Sequence, residues 1–574
     1  MAAALILSEP VSRAGTRKQA VPWLVSLVLF LLSVSAAHAQ AVQPRAGASP
    51  QLTGPLPAMP AGDLSHDYPF DASLVPVSDY GFTEKEFFFS GDTSDGSYTS
   101  RMLVRRPADP ARFSGTTIVE WANPAPGFDL DLLWAESAAS IMRSGDAFVL
   151  VTAETDSLYT PKTGLKAWSP QRYAPLSMPQ GDSSTQGDSS ASLRDSLQIF
   201  GQALNAIRSS ASDAPLGGLA TGHLIATGGS RSAVMITAYA RSMSGGVDGY
   251  LIWDLSTGTP EVGAKVGDDT PADAETIPSP TGDGGPPVLW INTETDAART
   301  HTTPDGPEYR LWELAGATHV DLYLWNYYAA MEARDLGVDL QVPNCGYRPL
   351  SRIPTRYALD AAIADLTTWI TTNTPPPSQP SLRYDSQGNV VRDDYGNALG
   401  GVRLPDEAVP TAASGADNSG QGDCATWVGH SIPFSADILR SLYPTHADYV
   451  NDVNSAATAA VNAGVMLPFD AQETINAADA ADIPPAAPSS PARRPKSCER
   501  RRTVSIKIPA TVRRRRVLRA RISIKGRRAV RARGGQRVRL VLRSGPSARV
   551  RVRIALRLRG GKLVVKVRTY SMCR

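Results

Sequence analysis

Short, wholly apolar segments alternate with longer amphipathic segments through the middle of the chain. The apolar runs have the length and composition of strands that are buried on both faces. They are 116–121, 147–153, 249–254, 287–292 and 309–316. Helical spacing of apolar positions follows at 129–143 and at 192–209. This alternation predicts an α/β fold with a doubly wound, mostly parallel sheet.

The end of the chain follows a different pattern, in which apolar and basic residues alternate one by one. Residues 549–559 read RVRVRIALRLR, and the alternation recurs more loosely at 519–526 and 537–543. A period of two with one apolar and one cationic face is typical of β-strands. We therefore expect residues 498–574 to form a small all-β module whose outer faces are rich in arginine.

Three segments that lack both patterns divide the chain. Basic residues, an apolar run and an A-x-A site ending at Ala39 predict a secretory signal peptide over residues 1–39. No later apolar stretch reaches the length of a membrane span. Pro, Ala and Gly dominate residues 40–66, which we expect to be a disordered lead-in, and residues 482–497 read as a Pro-rich linker. The α/β domain is then expected at 67–481.

Two long polar insertions interrupt the α/β pattern, at 155–191 and at 374–430. Such insertions form functional lids or pocket walls more often than idle connections, and a mobile surface flap is the alternative. In the first insertion, Trp168 and Tyr173 are aromatic side chains that are costly to leave in water. We expect them to line a substrate pocket, with packing into the core as the alternative.

The net charge of +3 conceals a strong asymmetry. Residues 493–574 carry 30 Lys and Arg against one acid, Glu499, whereas the rest of the chain carries 28 basic and 54 acidic residues. Repulsion among so many cations is relieved by an anionic partner. In an exported protein this partner is expected to be an acidic cell-envelope polymer or lipid, with the acidic rest of the chain as an internal alternative. A nucleic acid would need an extracellular source, and a solubilising tail is the remaining alternative.

The four cysteines are expected to form disulfides, because an exported protein folds in an oxidising compartment. None of them belongs to a C-x-x-C pair, which argues against a zinc site. The domain boundary favours pairing Cys345 with Cys424 and Cys498 with Cys573.

The segment HLIATGGSRSAVM, residues 223–235, fits a nucleophile elbow around Ser230. It reads as a short strand followed directly by a helix, and small residues, Gly228 and Ser232, stand two positions before and after Ser230. These small flanks are the steric requirement of a serine on a sharp strand-to-helix turn. Ser232 fits worse as the nucleophile, because one of its own flanks is the β-branched Val234.

In an α/β hydrolase the acid and then the histidine follow the serine along the chain. His319 comes just after the apolar run at 309–316 and is the expected general base, while His301, in a polar loop, ranks second. The candidate acids stand at strand ends and are, in order of preference, Asp296, Glu294 and Asp254.

Two backbone amides are expected to stabilise an oxyanion. One belongs to Arg231, which follows Ser230. The other comes from the loop at 122–131, where prolines leave the amides of Ala125, Gly127 and Phe128, and we take Gly127 as the donor. The sequence has no H-E-x-x-H motif, no phosphate-binding glycine loop and no metal-spaced ligand cluster, so no cofactor or metal is expected.

Several of these segments, in this order, resemble the alpha/beta hydrolase domain family of secreted bacterial proteins, over about residues 80–480. The motifs are VEWANPAPGFD, GLKAWSPQRY, GGSRSA, NTETD, YRLWELAGATH, NCGY, DDYGNALGGVRLP and SIPF. The resemblance implies a serine hydrolase fold with a triad of Ser230, Asp296 and His319. It does not identify a substrate.

The sequence therefore predicts a secreted serine hydrolase that acts on a small-molecule carboxylic ester. The alternative is a catalytically silent binding or cell-envelope adhesion protein that depends on the basic C-terminal module.

Overall fold

The chain forms two compact units, Met1–Pro485 and Ala486–Arg574, in a computed structural model. The described residues are 49–57, 66, 68–179, 193–243, 245–255, 284–297, 305–485, 501–525, 527–543 and 549–571. The predicted signal peptide, most of the predicted linker, His301, Cys498 and Cys573 lie outside them. The division between the units falls inside the predicted linker.

A nine-stranded sheet forms the centre of the N-terminal unit. Its strands are β1 (Gln51–Thr53), β2 (Phe82–Asp92), β3 (Ser97–Pro107), β4 (Thr116–Trp121), β5 (Ala147–Val151), β6 (His223–Gly229), β7 (Gly249–Trp253), β8 (Val288–Thr293) and β9 (Tyr309–Leu314). Their order across the sheet is β1-β2-β3-β5-β4-β6-β7-β8-β9. Strands β4 to β9 run parallel, and β1 to β3 are antiparallel to their neighbours. The predicted doubly wound, mostly parallel sheet is confirmed.

Helices occupy many of the connections between the strands and much of the chain after β9 in this unit. They are α1 (Leu132–Ser144), α2 (Thr155–Tyr159), α3 (Leu165–Trp168), α4 (Leu193–Ile207), α5 (Arg231–Ser242), α6 (Glu294–Ala297), α7 (Leu322–Asp335), α8 (Thr355–Thr372), α9 (Pro405–Ala408), α10 (Asp423–Thr426), α11 (Ala436–Leu442), α12 (His446–Asn462) and α13 (Pro468–Ala480). Helix α1 packs with α7 and α8, and α4 packs with α5. Every residue of β4, β5, β7 and β8 is buried, as the unbroken apolar runs predict.

The expectation of a disordered lead-in over 40–66 is wrong for residues 51–53. They form β1, which pairs with β2 at the edge of the sheet. Pairing satisfies backbone groups that β2 would otherwise leave open at that edge, and this gain depends on the backbone and not on an apolar side-chain pattern.

The insertion at 374–430 is anchored at several points. Strand β10 (Ala412–Gly415) pairs antiparallel with β11 (His430–Pro433), which ties the end of the insertion to a segment further inside it. The disulfide between Cys345 and Cys424 is present, as predicted, with a Cα–Cα distance of 5.4 Å.

The C-terminal unit is all-β over its described residues. Its strands are β12 (Arg501–Lys507), β13 (Thr511–Val512), β14 (Arg515–Ile524), β15 (Val530–Ala532), β16 (Arg537–Arg543), β17 (Arg549–Leu558) and β18 (Leu563–Ser571). Strands β12 and β16 form one sheet, and β13, β14, β17 and β18 form the other, with β15 on β14. Side chains of both sheets share one apolar core, including Ile506, Leu542, Ile522 and Leu556. The predicted all-β module is confirmed for these residues.

None of the helices in the described parts of the chain combines the length and the apolar character that crossing a bilayer requires.

Candidate active site

Ser230 occupies a strained turn between β6 and α5. Its backbone has φ 57° and ψ −125°, a region that non-glycine residues rarely adopt. The turn is also tight, because a Cβ on Gly228 would lie 2.5 Å from the Ser232 carbonyl oxygen and one on Gly229 would lie 2.4 Å from the Trp253 ring. Glycine at these two positions is therefore a steric requirement of the turn that presents Ser230.

The structure brings Ser230, His319 and Asp296 into one hydrogen-bonded line. His319 lies in the loop between β9 and α7, and its Nε2 is 2.9 Å from Ser230 Oγ. Its Nδ1 is 2.8 Å from Asp296 Oδ2. Asp296 belongs to α6, directly after β8, and is fully buried. A serine hydroxyl on an imidazole that is oriented by a buried carboxylate is the arrangement that activates serine as a nucleophile.

Glu294, the second candidate acid, has its oxygens engaged elsewhere. Its Oε2 accepts a hydrogen bond from the Gly316 amide at 2.8 Å, and its Oε1 pairs with Arg392 and accepts from the Ala416 amide at 3.3 Å. The carboxylate thus joins the end of β9 to the insertion at 374–430. Its contacts indicate a structural side chain that holds the insertion against the sheet.

Asp254, the third candidate acid, lies beside the Asp296–His319 pair at the end of β7. Its Oδ1 accepts the Thr293 amide at 2.7 Å, and its Oδ2 has no hydrogen-bond partner among the described residues. Burial raises the pKa of Asp254 well above its ordinary range, and the neighbouring Asp296 carboxylate raises it further. The neutral form is therefore favoured at this position.

Ligand atoms of Asp254, Asp296 and His319 lie within 4.8 Å of one another, close enough to share a cation. Both ring nitrogens of His319, however, already bond to protein side chains, Nδ1 to Asp296 and Nε2 to Ser230. A metal ion would have to displace one of these bonds, so the arrangement suits proton transfer better than metal binding.

Arg231 holds the first position of α5, where backbone amides have no partner inside the helix. No acceptor among the described residues takes its amide hydrogen. Its guanidinium is held to one side by Glu154 and Asp156, at 2.7 and 2.9 Å. The amide is therefore available next to Ser230 Oγ, where a donor to an oxyanion is required.

The assignment of Gly127 as the second donor is wrong. Its amide closes a turn by donating to the Pro124 carbonyl oxygen at 2.8 Å, and the Ala125 amide donates to Asn123 Oδ1 at 2.9 Å. The sequence shows which residues carry an N–H group but not that a Pro-rich turn uses these groups internally.

Asn123 is a residue of this loop that the sequence did not single out. Its Nδ2 donates to the carbonyl oxygen of Gly229, the residue before Ser230, at 2.9 Å. One hydrogen of the side-chain amide makes this contact, and the amide carries two. Asn123 therefore combines proximity to the elbow with an additional donor.

Two buried arginines of β3 hold the far end of the same loop. Arg101 pairs with Asp129 at 3.2 Å, and Arg105 pairs with Asp131 at 2.5 Å. All four side chains are fully buried. The two arginines flank the short apolar run at 102–104, and this placement is a sequence signal for such an anchor, since buried charges need partners.

The prediction that Trp168 and Tyr173 line a substrate pocket is wrong, and the alternative, packing into the core, holds. Tyr173 is fully buried, and its hydroxyl donates to Glu86 at 2.8 Å. Trp168 is 7% exposed, and its indole nitrogen donates to the Asp335 carbonyl oxygen at 2.6 Å. Both polar groups have partners inside the core, so neither ring needs a site facing solvent.

Trp427, in the second insertion, does contact the site, and sequence analysis missed it. Its ring centroid lies 4.5 Å from that of His319, and its carbonyl oxygen accepts the Val320 amide at 3.1 Å. It follows the disulfide-bonded Cys424 by three residues. The insertion thus supplies one wall beside the histidine, as a pocket-wall loop is expected to do.

The sheet order, the strained serine at the end of β6 and the histidine after β9 together define the α/β-hydrolase class. The chain belongs to the alpha/beta hydrolase domain family, whose model matches residues 52–476. The family predicted from the sequence motifs is thereby confirmed, and the class is that of a hydrolase. No curated protein sequence matches the chain.

Among solved structures, the chain is similar to a fungal esterase from Rhizomucor miehei, with 10% identity, a TM-score of 0.27 and coverage of 51% of this chain and 85% of that chain. It is also similar to a glucuronoyl esterase from Solibacter usitatus, with 12% identity, a TM-score of 0.26 and coverage of 44% and 81%. At these values the similarities identify no substrate.

Proposed function

We propose that the chain is a secreted carboxylic-ester hydrolase in which Ser230 is the nucleophile, His319 the general base and Asp296 the acid. The observation that carries this proposal is the contact between Ser230 Oγ and His319 Nε2, made by a serine in a strained turn. Strain in a tight turn is maintained where it presents a functional side chain.

In the proposed reaction, Ser230 Oγ attacks the ester carbonyl carbon while its proton passes to His319 Nε2. The imidazolium is stabilised by Asp296, and it returns the proton to the departing alcohol. Water then attacks the acyl carbon while His319 takes its proton. The bond between the acyl carbon and Ser230 Oγ breaks, His319 returns the proton to Oγ, and the carboxylic acid leaves. Asp254, held neutral, adds no second negative charge next to the acid.

The negative charge that develops on the carbonyl oxygen needs at least two donors. The Arg231 amide is the first, by its place at the start of α5. For the second we propose the side-chain amide of Asn123, because it already lies at the elbow, hydrogen-bonded to the Gly229 carbonyl oxygen. The loop amides of Ala125 and Gly127 are engaged, whereas the Phe128 amide donates to no acceptor among the described residues and is the alternative donor. Trp427 contributes the wall over the histidine and so contacts the acyl or the alcohol group.

An activity-based probe tests the nucleophile directly. A fluorophosphonate should label the purified protein at Ser230, and a panel of p-nitrophenyl esters of increasing acyl length should show turnover. An active nucleophile gives both results. If neither probe nor esters react, the hydrolase body is catalytically silent and the alternative of a binding or adhesion protein replaces the proposal.

We further propose that the protein is exported and attached to the cell envelope. Support for export comes from the basic, apolar and A-x-A segments of residues 1–39 and from the Cys345–Cys424 disulfide. N-terminal sequencing of the mature protein should begin at Gln40.

Support for attachment comes from the charge of residues 493–574, which include 30 basic residues and a single acid. The full chain should be retained on an anionic matrix at low salt, and retention should fall steeply as salt rises. Equal retention of a shortened chain ending at Pro491 would contradict attachment through the C-terminal module.

A further inference from the structure

Strand β18, at the edge of its sheet in the C-terminal unit, carries three apolar side chains on the face that points away from the core. Pairing with β17 places Val564 and Lys566 opposite the buried Leu556 and Ile554. The same register puts Leu563, Val565 and Val567 on the outer face. These three are 58%, 41% and 58% exposed. A strand that packs one face on a core normally shows the reverse alternation.

The three exposed side chains form a continuous apolar row. Residues at i, i+2 and i+4 of a strand lie on one face, so the row extends over roughly 13 Å. Single exposed apolar residues are common on protein surfaces, but a row on an edge strand is a surface that favours contact with another apolar phase.

Arginines lie directly beside this row. In the β17 register, Arg553 is opposite Val567 and Arg557 is opposite Leu563. One strand further in, Arg519 is opposite Arg557, while Arg521 is opposite Ala555. We call this surface the arginine–apolar face. It consists of Arg519, Arg521, Arg553, Arg557, Leu563, Val565 and Val567.

The arginines of this face make no ion pair within the part of the chain that the structure describes. All four are exposed. The sequence offers no acid nearby either, since Glu499 is the single acid from residue 493 to the end. Their charge therefore needs an anion from outside the C-terminal unit.

We propose that the arginine–apolar face binds the surface of an anionic lipid bilayer. The arginines would contact headgroup phosphates bidentately, and the apolar row would enter the region just beneath them. A soluble polyanion would satisfy the arginines but leave the apolar row in water, so the combination favours lipid over polymer. The inference rests on the proposed attachment role of the module and is independent of the proposed catalysis.

The opposite sheet provides a matched control. Arg537 and Arg539 of β16 are exposed arginines on the outer face of the β12–β16 sheet, and they pair with Lys507 and Ser505. No row of strongly exposed apolar side chains accompanies them among the described residues of that sheet. Removing two charges there changes the net charge as much as removing two from the arginine–apolar face.

The test is sedimentation of the full mature chain with vesicles of phosphatidylcholine alone or mixed with phosphatidylglycerol. The apolar variant is Leu563→Thr, Val565→Thr and Val567→Thr, the arginine variant is R553Q with R557Q, and the control is R537Q with R539Q. Threonine keeps β propensity at exposed positions, and far-UV circular dichroism verifies the sheet. We expect about ten-fold weaker binding to anionic vesicles for the first two variants and less than about two-fold for the control.

Soluble glycerophosphoglycerol and dextran sulfate distinguish the source of the anion. We expect that the free headgroup does not displace the chain from vesicles. We also expect that the apolar variant binds dextran sulfate as well as the native chain does. If the apolar variant binds anionic vesicles with native affinity, attraction to any polyanion suffices and the lipid inference is overturned. If the native chain binds neither vesicles nor dextran sulfate, the attachment role fails as well.

Discussion

The Nε2 atom of His319 lies 2.9 Å from the Oγ atom of Ser230, although 89 residues separate the two in the chain. Ser232, by contrast, turns inward, where its hydroxyl donates to the Gly229 carbonyl oxygen at 2.8 Å and accepts the Gly229 amide at 3.1 Å. The two serines of the elbow thus have different environments, one facing the imidazole and one closing the turn.

The first prediction follows from this difference. Ser230→Ala should lower kcat for p-nitrophenyl esters by about 10⁴ to 10⁶, because it removes the nucleophile. Ser232→Ala should keep most of the activity and lose about 1 kcal/mol of stability with its buried hydrogen bond. Ester turnover and thermal unfolding of both variants distinguish the two roles, and equal activities would show that the elbow is misassigned.

The second prediction concerns the three acids. Asp296→Asn should reduce kcat by about 10³ to 10⁴, because an amide cannot hold the imidazole in the required tautomer or stabilise its charged form. Asp254→Asn should cost less than about ten-fold, because the amide resembles the neutral acid that burial favours there. Glu294→Gln is the control for a purely structural acid. It should lower the melting temperature while leaving kcat close to the native value. A larger loss in Asp254→Asn than in Asp296→Asn would exchange the two roles.

The sequence predicted the parallel part of the large sheet in detail because its signal there is strong. Strands such as β4 and β8 are unbroken apolar runs, and their observed bounds differ from the predicted ones by no more than a residue at either end. The elbow could be predicted for a similar reason, since its steric requirement acts on neighbours within two positions of Ser230.

Features set by distant partners could not be predicted. Asp296 and Glu294 lie in one short helix. Their roles differ because Glu294 pairs with Arg392, which lies 98 residues further along the chain. The use of the Gly127 amide depends on the shape of its turn, and the burial of Tyr173 depends on Glu86, 87 residues away. Residue types alone do not contain these contacts.

The third prediction tests the second oxyanion donor. Asn123→Ala should lower kcat by about 10² to 10³ with little change in KM, because the donor acts on charge that develops in the transition state. The variant also loses the contact to Gly229, so its melting temperature must be measured in parallel. A native kcat in a folded Asn123→Ala protein would place the second donor elsewhere.

The fourth prediction concerns Trp427, whose ring lies against His319. Trp427→Ala should raise KM several-fold for some acyl lengths and alter the preference among them, because it removes one wall beside the histidine. Trp427→Phe keeps an aromatic wall and is the matched control. The double variant Cys345→Ser with Cys424→Ser should shift the preference in the same direction by releasing the loop. Uniform loss across all esters would instead indicate a general effect on folding.

The fifth prediction is a pH dependence of stability that originates in Glu407. This side chain of α9 is fully buried, and its Oε1 accepts the Ala398 amide at 3.0 Å. Burial, followed by the charge of Glu294, raises the pKa of Glu407 to about 8, from an ordinary value near 4.5. The folded protein therefore holds a proton that the unfolded chain has released between these two pH values.

The sign of the effect follows directly. Stabilisation by the protonated Glu407 is complete below about pH 4.5 and is lost as pH rises through about 8, by up to about 1.4 kcal/mol per pH unit. All ten tryptophans lie between residues 23 and 427, so their fluorescence in urea reports on the N-terminal unit alone. The Glu407→Gln variant cannot ionise at this position. Between pH 5 and 9 its free energy of unfolding should therefore fall by about 1 to 3 kcal/mol less than that of the native chain. Glu473→Gln, which makes the same change on an exposed side chain of α13, should follow the native curve. Parallel curves for the native chain and Glu407→Gln would show that Glu407 is ionised in the folded protein throughout this range.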